Sequence, residues 1–189
     1  MNQQTETIIP HLGLLVLDVQ ASFLKVLPDP EPFKRRIQFC IETARLFGIP
    51  TLFTEQRPDR LGHTLDEVSD LNPNSPRIAK AGFSAFTEST VTDWQQEEGI
   101  QHILVIGLET PICVYQTVLE AINQEIDVTV LSDAVSCRRH KDGEVAITAM
   151  RLHGAHILPS ETIFYSILSD SNHPSFKEFT QLVKKYSDK

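Results

Sequence analysis

Cysteine is scarce in this chain: three in 189 residues, Cys40, Cys113 and Cys137, odd in number and without a Cys-x-x-Cys pair. That argues against a disulfide framework and for a reducing compartment. Positive charge is also short, with Lys plus Arg at 17 against Asp plus Glu at 25 and a net charge of −8. The nearest basic run, Arg138, Arg139, His140 and Lys141, is brief and is followed by Asp142 and Glu144. No nucleic-acid partner is expected from so acidic a surface. No apolar stretch approaches the roughly 18 residues that a membrane helix needs, so no membrane partner is expected either. The opening MNQQTETIIPHLG lacks the basic region and apolar run of a signal peptide, and a cytoplasmic location is the expectation. Gly-x-Gly-x-x-Gly, the P-loop and Gly-x-Ser-x-Gly are all missing, which weakens dinucleotide, phosphate-loop and α/β-hydrolase readings. The seven histidines form no His-Glu-x-x-His and no Asp-x-His pair, and His153 and His156 straddle a helix end and a strand start. Neither a metal nor a cofactor is expected from that spacing.

What is present is an ordinary folding composition, 41% hydrophobic and 22% charged, enough for a domain with a substantial core over residues 1–189. Leu12 to Val19 reads as a strand buried on both faces. Phe33, Ile37, Ile41, Ala44 and Phe47 recur three or four apart and predict a helix over Pro30 to Phe47. Further strands are expected at Pro50–Thr54, Arg77–Lys80, His102–Gly107, Ile126–Leu131 and Ala155–Leu158. Helices are expected at Thr90–Glu98, Pro111–Asn123, Lys141–His153, Glu161–Leu168 and Pro174–Tyr186. Three times a helical run meets Gly and then a strand, as in LFG-IP, EEG-IQ and LHG-AH. Gly in the left-handed conformation is a stop signal with a steric reason. Alternating β and α with continuous apolar strands predicts an α/β fold with a parallel, roughly six-stranded sheet covered on both faces, with order 3-2-1-4-5-6 considered. The irregular stretch from Gln56 to Pro76, which carries Pro58, Gly62, Pro73 and Pro76, reads as a functional loop.

Ligands of open parallel sheets bind outside the carboxyl ends of the strands. Asp18 follows the first strand, Glu55 and Gln56 the second, Lys80 the third, GLETPICV the fourth and Asp133 the fifth. An acid, a cation and a thiol thus converge on one rim. Pro111 suits the first position of a helix, which puts Cys113 in its first turn. There, free N–H groups and the helix dipole would favour a thiolate or hold an oxyanion. The other reading of Cys113 is a small buried hydrophobe. Asp18, at the end of an apolar strand, is either a capping carboxylate or a proton shuttle for the thiol. Lys80 is its natural charge partner: two strand spacings, about 9–10 Å, separate the third strand from the first. Cys40 and Cys137 read as structural.

Three segments taken together, LDVQASF around Asp18, KAGFSAF around Lys80 and GLETPICV around Cys113, resemble the isochorismatase-like cysteine hydrolases, a family that includes nicotinamidase and N-carbamoylsarcosine amidohydrolase. DAVSCR and the helix ending in RLHGAHI add to the likeness, which runs from about Leu12 to Leu168. The resemblance implies a three-layer α/β/α sandwich and a catalytic set of Asp18, Lys80 and Cys113. It also implies a cis peptide at Leu108–Glu109, an oxyanion hole from the Glu109 and Cys113 amides, an aromatic pocket wall at Phe23 and a homo-oligomer. Nicotinamidases carry an Asp-x-His metal pair after strand two, whereas this chain has TEQRP. Cys113 points away from vinyl-ether cleavage, since isochorismatases proper lack that cysteine.

The resulting reading is a metal-independent cysteine hydrolase that cleaves a small amide or related C–N bond through a thioester. Residues nominated for substrate contact are Phe23, Gln56, Phe83, Phe86, Thr110 and Ile112. The helix terminus and Lys80 are expected to outweigh burial and Asp18 and to lower the thiol pKa of Cys113. The competing reading is a non-catalytic binding or assembly protein on the same fold. A third is an oxidative role for the thiol.

Overall fold

The structure, a computed structural model, describes residues 11–187. The segment before residue 11, read above for a leader, lies outside the described residues.

Strand β1 (Leu12–Leu17) leads through a short helix α1 (Ala21–Leu24) into α2 (Pro30–Leu46) and β2 (Thr51–Gln56). Two single-turn helices, α3 (Pro58–Leu61) and α4 (Asp66–Ser69), lie in the stretch expected to be irregular, before β3 (Arg77–Lys80). Then follow α5 (Ser89–Glu97), β4 (His102–Leu108), α6 (Tyr115–Asn123), β5 (Asp127–Ser136), α7 (His140–Leu152), β6 (His156–Leu158), α8 (Ser160–Leu168) and α9 (Phe176–Tyr186). The six strands form one sheet in the order β3-β2-β1-β4-β5-β6, and every neighbouring pair is parallel. Strand order, handed out on both sides of β1, and the three-layer arrangement are those expected from the alternation of elements.

All six residues of β1 are buried, and their alternation divides the core. Leu14 and Val16 face a cluster with Phe33, Ile37, Phe39 and Phe47 around α2, joined by Phe164 of α8 and Phe179 of α9. Leu15 and Leu17 face the opposite cluster with Val91, Trp94, Val114, Val118 and Met150, from α5 to α7. A strand that must bury both faces reads as an unbroken apolar run, which is how β1 reads. Helix α2 starts where Asp29 accepts from the Glu31 amide at 3.3 Å with Pro30 behind it, and its apolar residues share one face. Gly48, Gly99 and Gly154 end α2, α5 and α7 with positive φ, as the three stop signals require.

Gly107 places the site. It has φ of +135°, and a Cβ there would lie 2.1 Å from the Leu17 carbonyl oxygen. Only glycine lets the ends of β1 and β4 approach so closely. Their registers run side by side to Leu17↔Gly107. Asp18 and the Leu108–Val114 segment therefore leave the sheet as neighbours, at the point where the strand order reverses.

The fourth crossover departs from expectation. Instead of one α-helix from Pro111, residues Thr110–Val114 make a wide turn in which the Tyr115 amide bonds to the Thr110 carbonyl, five residues back, and α6 begins after it. Such π-type turns widen the backbone and are frequent at functional sites.

Candidate active site

Asp18 is fully buried and takes a left-handed backbone, φ +55°, as the chain turns off β1. Its Oδ1 accepts from the Thr54 hydroxyl at 2.8 Å. Lys80, at the end of β3, is also buried and brings its Nζ to 2.8 Å from Asp18 Oδ2. The lysine stem thus spans the two strand spacings. The approach lies off hydrogen-bond alignment, so Oδ2 has no aligned donor of its own. The ammonium's other partners are Gln56 Oε1 at 2.6 Å, the Phe83 carbonyl at 3.1 Å and the Gly82 carbonyl at 3.4 Å. A buried cation needs this many oxygens to offset its lost hydration.

Cys113 lies in the wide turn beside this pair, buried, with its thiol in electrostatic and hydrogen-bond reach of both Asp18 and Lys80. Burial, then the Asp18 charge, push the thiol pKa up to about 12, and Lys80 only partly opposes them. The expectation of a lowered pKa is therefore corrected: desolvation outweighs the helix terminus, and the resting group is a thiol. Cys40 is shifted upward by burial as well, and so is Cys137, whose Sγ–H donates to the Arg139 carbonyl at 3.2 Å. All three cysteines are free.

A second expectation fails at the entrance to the turn. No cis peptide occurs among the described residues, and Leu108–Glu109 is trans. The chain instead changes direction through Glu109 itself, at φ +58° and ψ +60°, with the Glu109 carbonyl accepting from Ile112 and Val114 amides. The geometric reason for aiming the Glu109 amide beside that of Cys113 goes with the cis bond.

A cavity of about 260 Å³ opens onto Cys113, lined by Ser22, Phe23, Val26, Gln56, Phe83, Glu109, Ile112 and Arg138. Four of the six nominated contact residues line it: Phe23, Gln56, Phe83 and Ile112. Gln56 is also part of the scaffold, since its Nε2 donates to the Ala81 carbonyl at 2.9 Å while its Oε1 holds Lys80. Phe83 is about half exposed at the mouth. Phe86 does not line the cavity; Ser84 caps the turn at Ala85–Thr87 and Phe86 packs into the core with Val91 and Trp94. Phe83 and Phe86, three apart, would share a face only in a helix, and Phe83 lies outside the turn. Thr110 is buried and does not line the cavity either; it lies near Gly143 and Cys137.

Gln20, Thr54 and Arg138 were missed. The Gln20 carboxamide bonds both the amide and the carbonyl of Gln56, at 2.8 and 3.1 Å, continuing the sheet with a side chain. Thr54 reads in sequence as one more strand residue, and no spacing marks it. Arg138 stands in a short basic run whose sequence carries no mark of a cavity. Glu55, where a metal ligand would be sought, is engaged otherwise: Oε1 accepts from the Thr64 amide at 2.8 Å and Oε2 lies 2.9 Å from His63 Nδ1. Burial raises its pKa, but these bonds outweigh it and the net shift is downward. Among the described residues no group of three His, Cys, Asp or Glu side chains is placed to hold a metal ion. Among them, too, no helix is long and apolar enough to cross a membrane.

The isochorismatase domain family model matches residues 13–162. Isochorismatase family protein 1A of Dictyostelium discoideum is 32% identical over 178 residues, 92% of this chain and 86% of that protein. A Caenorhabditis elegans structure described as MAR1 ribonuclease superimposes with a TM-score of 0.88 at 30% identity, covering 95% of this chain and 94% of that one. The ycaC gene product of Escherichia coli, described as an octameric hydrolase of unknown specificity, shares the fold with a TM-score of 0.82 at 22% identity, covering 98% and 97%.

Proposed function

Since the chain belongs to the isochorismatase family, we propose that it is a cysteine-dependent hydrolase that cleaves a small amide or related C–N bond through a thioester. The observation that carries this is the buried Asp18–Lys80 pair, 2.8 Å apart, set against a thiol at the floor of a small cavity.

The resting thiol keeps its proton, so attack and proton transfer go together. As Cys113 Sγ adds to the substrate carbonyl, its proton passes to Asp18 Oδ2, the oxygen without an aligned donor. Lys80 holds the carboxylate in place and limits the charge change in the pocket. The Cys113 amide, within the turn, is the donor for the developing oxyanion. Asp18 then hands the proton to the leaving nitrogen, the C–N bond breaks, and ammonia or an amine departs. Water adds to the thioester with Asp18 again taking a proton, and the acid and the free thiol are released. No step calls on a metal or cofactor.

The cavity wall of Phe23, Val26, Phe83 and Ile112 suits the apolar part of a small molecule. The ribonuclease described for the C. elegans protein makes RNA a second substrate class to assay. A net charge of −8 and a carboxylate in the cavity wall favour an amide over a polyanion. We also propose that the chain works as a homo-oligomer in a reducing compartment such as the cytoplasm; Val145 and Leu152 leave an apolar strip of α7 exposed, and the three thiols are free.

The test is a panel of small amides, esters and single-stranded RNA, with release of ammonia, acid or nucleotides measured for wild type and Cys113→Ser. Amide turnover lost in Cys113→Ser supports the reading. Binding of an amide without turnover, equal in wild type and Cys113→Ala, would instead favour a non-catalytic binding protein.

A further inference from the structure

The proposed chemistry uses Asp18, Lys80 and Cys113 and leaves one buried acid in the cavity wall without a task. Glu109 is 6% exposed, lines the cavity beside Cys113, and its Oε2 has no hydrogen-bond partner. The cation beside it is Arg138, whose Nε stands 4.0 Å away, beyond hydrogen-bond range, on a side chain that is 58% exposed. An ionised carboxylate is costly to bury without a donor.

The charges around the cavity decide what that donor is. Asp18 and Lys80 offset each other at 2.8 Å, and Cys113 is a neutral thiol. Glu109 is then the unbalanced buried charge. Arg138 is opposite in sign, but its solvated position screens it, whereas interactions of a buried group are screened far less. An incoming ammonium would pair with the Glu109 carboxylate from within the cavity, closer than the 4.0 Å at which Arg138 lies. An incoming carboxylate would meet the repulsion of a desolvated acid.

We propose that Glu109 sets specificity, and that the cavity takes a small amide carrying a protonated amine, the ammonium bound by Glu109 and the carbonyl presented to Cys113. The amide carbonyl rests on the hydrolase reading above; the ammonium preference rests on the cavity alone. Phe23, Val26 and Ile112 would cover the carbon skeleton between the two ends. A hydrogen bond to a charged group in such a site corresponds to about tenfold in affinity.

Three amides of similar size separate the possibilities: β-alaninamide, with an ammonium; butyramide, its neutral counterpart; and succinamate, with a carboxylate. Binding is measured by NMR titration of the Cys113→Ala protein, so that no turnover is needed. β-Alaninamide is expected to bind about tenfold tighter than butyramide, and succinamate weakest. Glu109→Gln should erase that order. Arg138→Gln, at an exposed side chain, should strengthen β-alaninamide binding two- to threefold by removing a competitor for the Glu109 carboxylate. Butyramide or succinamate binding as tightly as β-alaninamide overturns the inference, and so does weakened β-alaninamide binding in Arg138→Gln, even if Glu109→Gln does not fold. If the binding order holds but wild type hydrolyses none of the three, the hydrolase reading fails while the ammonium site stands.

Discussion

Replacing Lys80 with Met removes the charge and keeps most of the stem. Asp18 would then stay fully buried with the Thr54 hydroxyl as its remaining side-chain partner, at 2.8 Å. Gln56 Oε1 and the Phe83 carbonyl would lose their donor at the same time. Breaking a buried pair by removing one partner costs about 3–5 kcal/mol, because the remaining charge is uncompensated. At about 2–4 °C per kcal/mol for a chain of this size, the melting temperature should fall by about 6–20 °C. Urea unfolding at neutral pH measures the loss. Adding Asp18→Asn removes the stranded charge, so the double variant should regain about 1–3 kcal/mol relative to Lys80→Met alone. A loss below about 1 kcal/mol, the size expected of an exposed pair, or strictly additive single variants, would refute the buried-pair argument.

Four further outcomes are expected. Cys113 should alkylate slowly with iodoacetamide near neutral pH, and faster with each rise in pH toward about 12, because burial and Asp18 hold it as a thiol; a plateau near pH 7 would show a resting thiolate. The same upward shift, from 9.0 to about 12, contributes stability that is fully present below about pH 9 and is lost as pH climbs toward 12, which pH-dependent urea melts would register. Activity should survive EDTA, since Glu55 is engaged by Thr64 and His63; stoichiometric zinc lost together with activity would count against that. Light scattering should report a particle larger than the 21.3 kDa of one chain, and a monomer at micromolar concentration would count against the exposed α7 strip as an interface.

The sheet was legible because its signals are local and redundant: apolar runs for the strands, a period of three or four for α2, and glycine at each helix stop. That pattern also brought Asp18, Lys80 and Cys113 to one rim, since topology alone puts strand ends there. What escaped depends on conformation and dielectric. Leu108–Glu109 keeps the ordinary trans peptide, and the chain turns through a left-handed Glu109 into the wide Thr110–Val114 turn, conformations that no residue spacing encodes. The thiol pKa went the other way because a helix terminus is visible in a sequence and the depth of burial is not. Phe86 was misplaced since Ser84 and Thr117 fix the Ala85–Thr87 turn from outside the aromatic pattern. Arg138 needed the cavity to be seen before its neighbour Glu109 gave it meaning.

The nucleophile can be caught in the act. Wild-type protein mixed with an amide it turns over, quenched in acid within one turnover and mapped by mass spectrometry, should carry the acyl group on the peptide containing Cys113. Asp18→Asn should show no such adduct, since attack requires an acceptor for the thiol proton. Turnover with no adduct on Cys113, and with activity retained in Cys113→Ala, would contradict the thioester route.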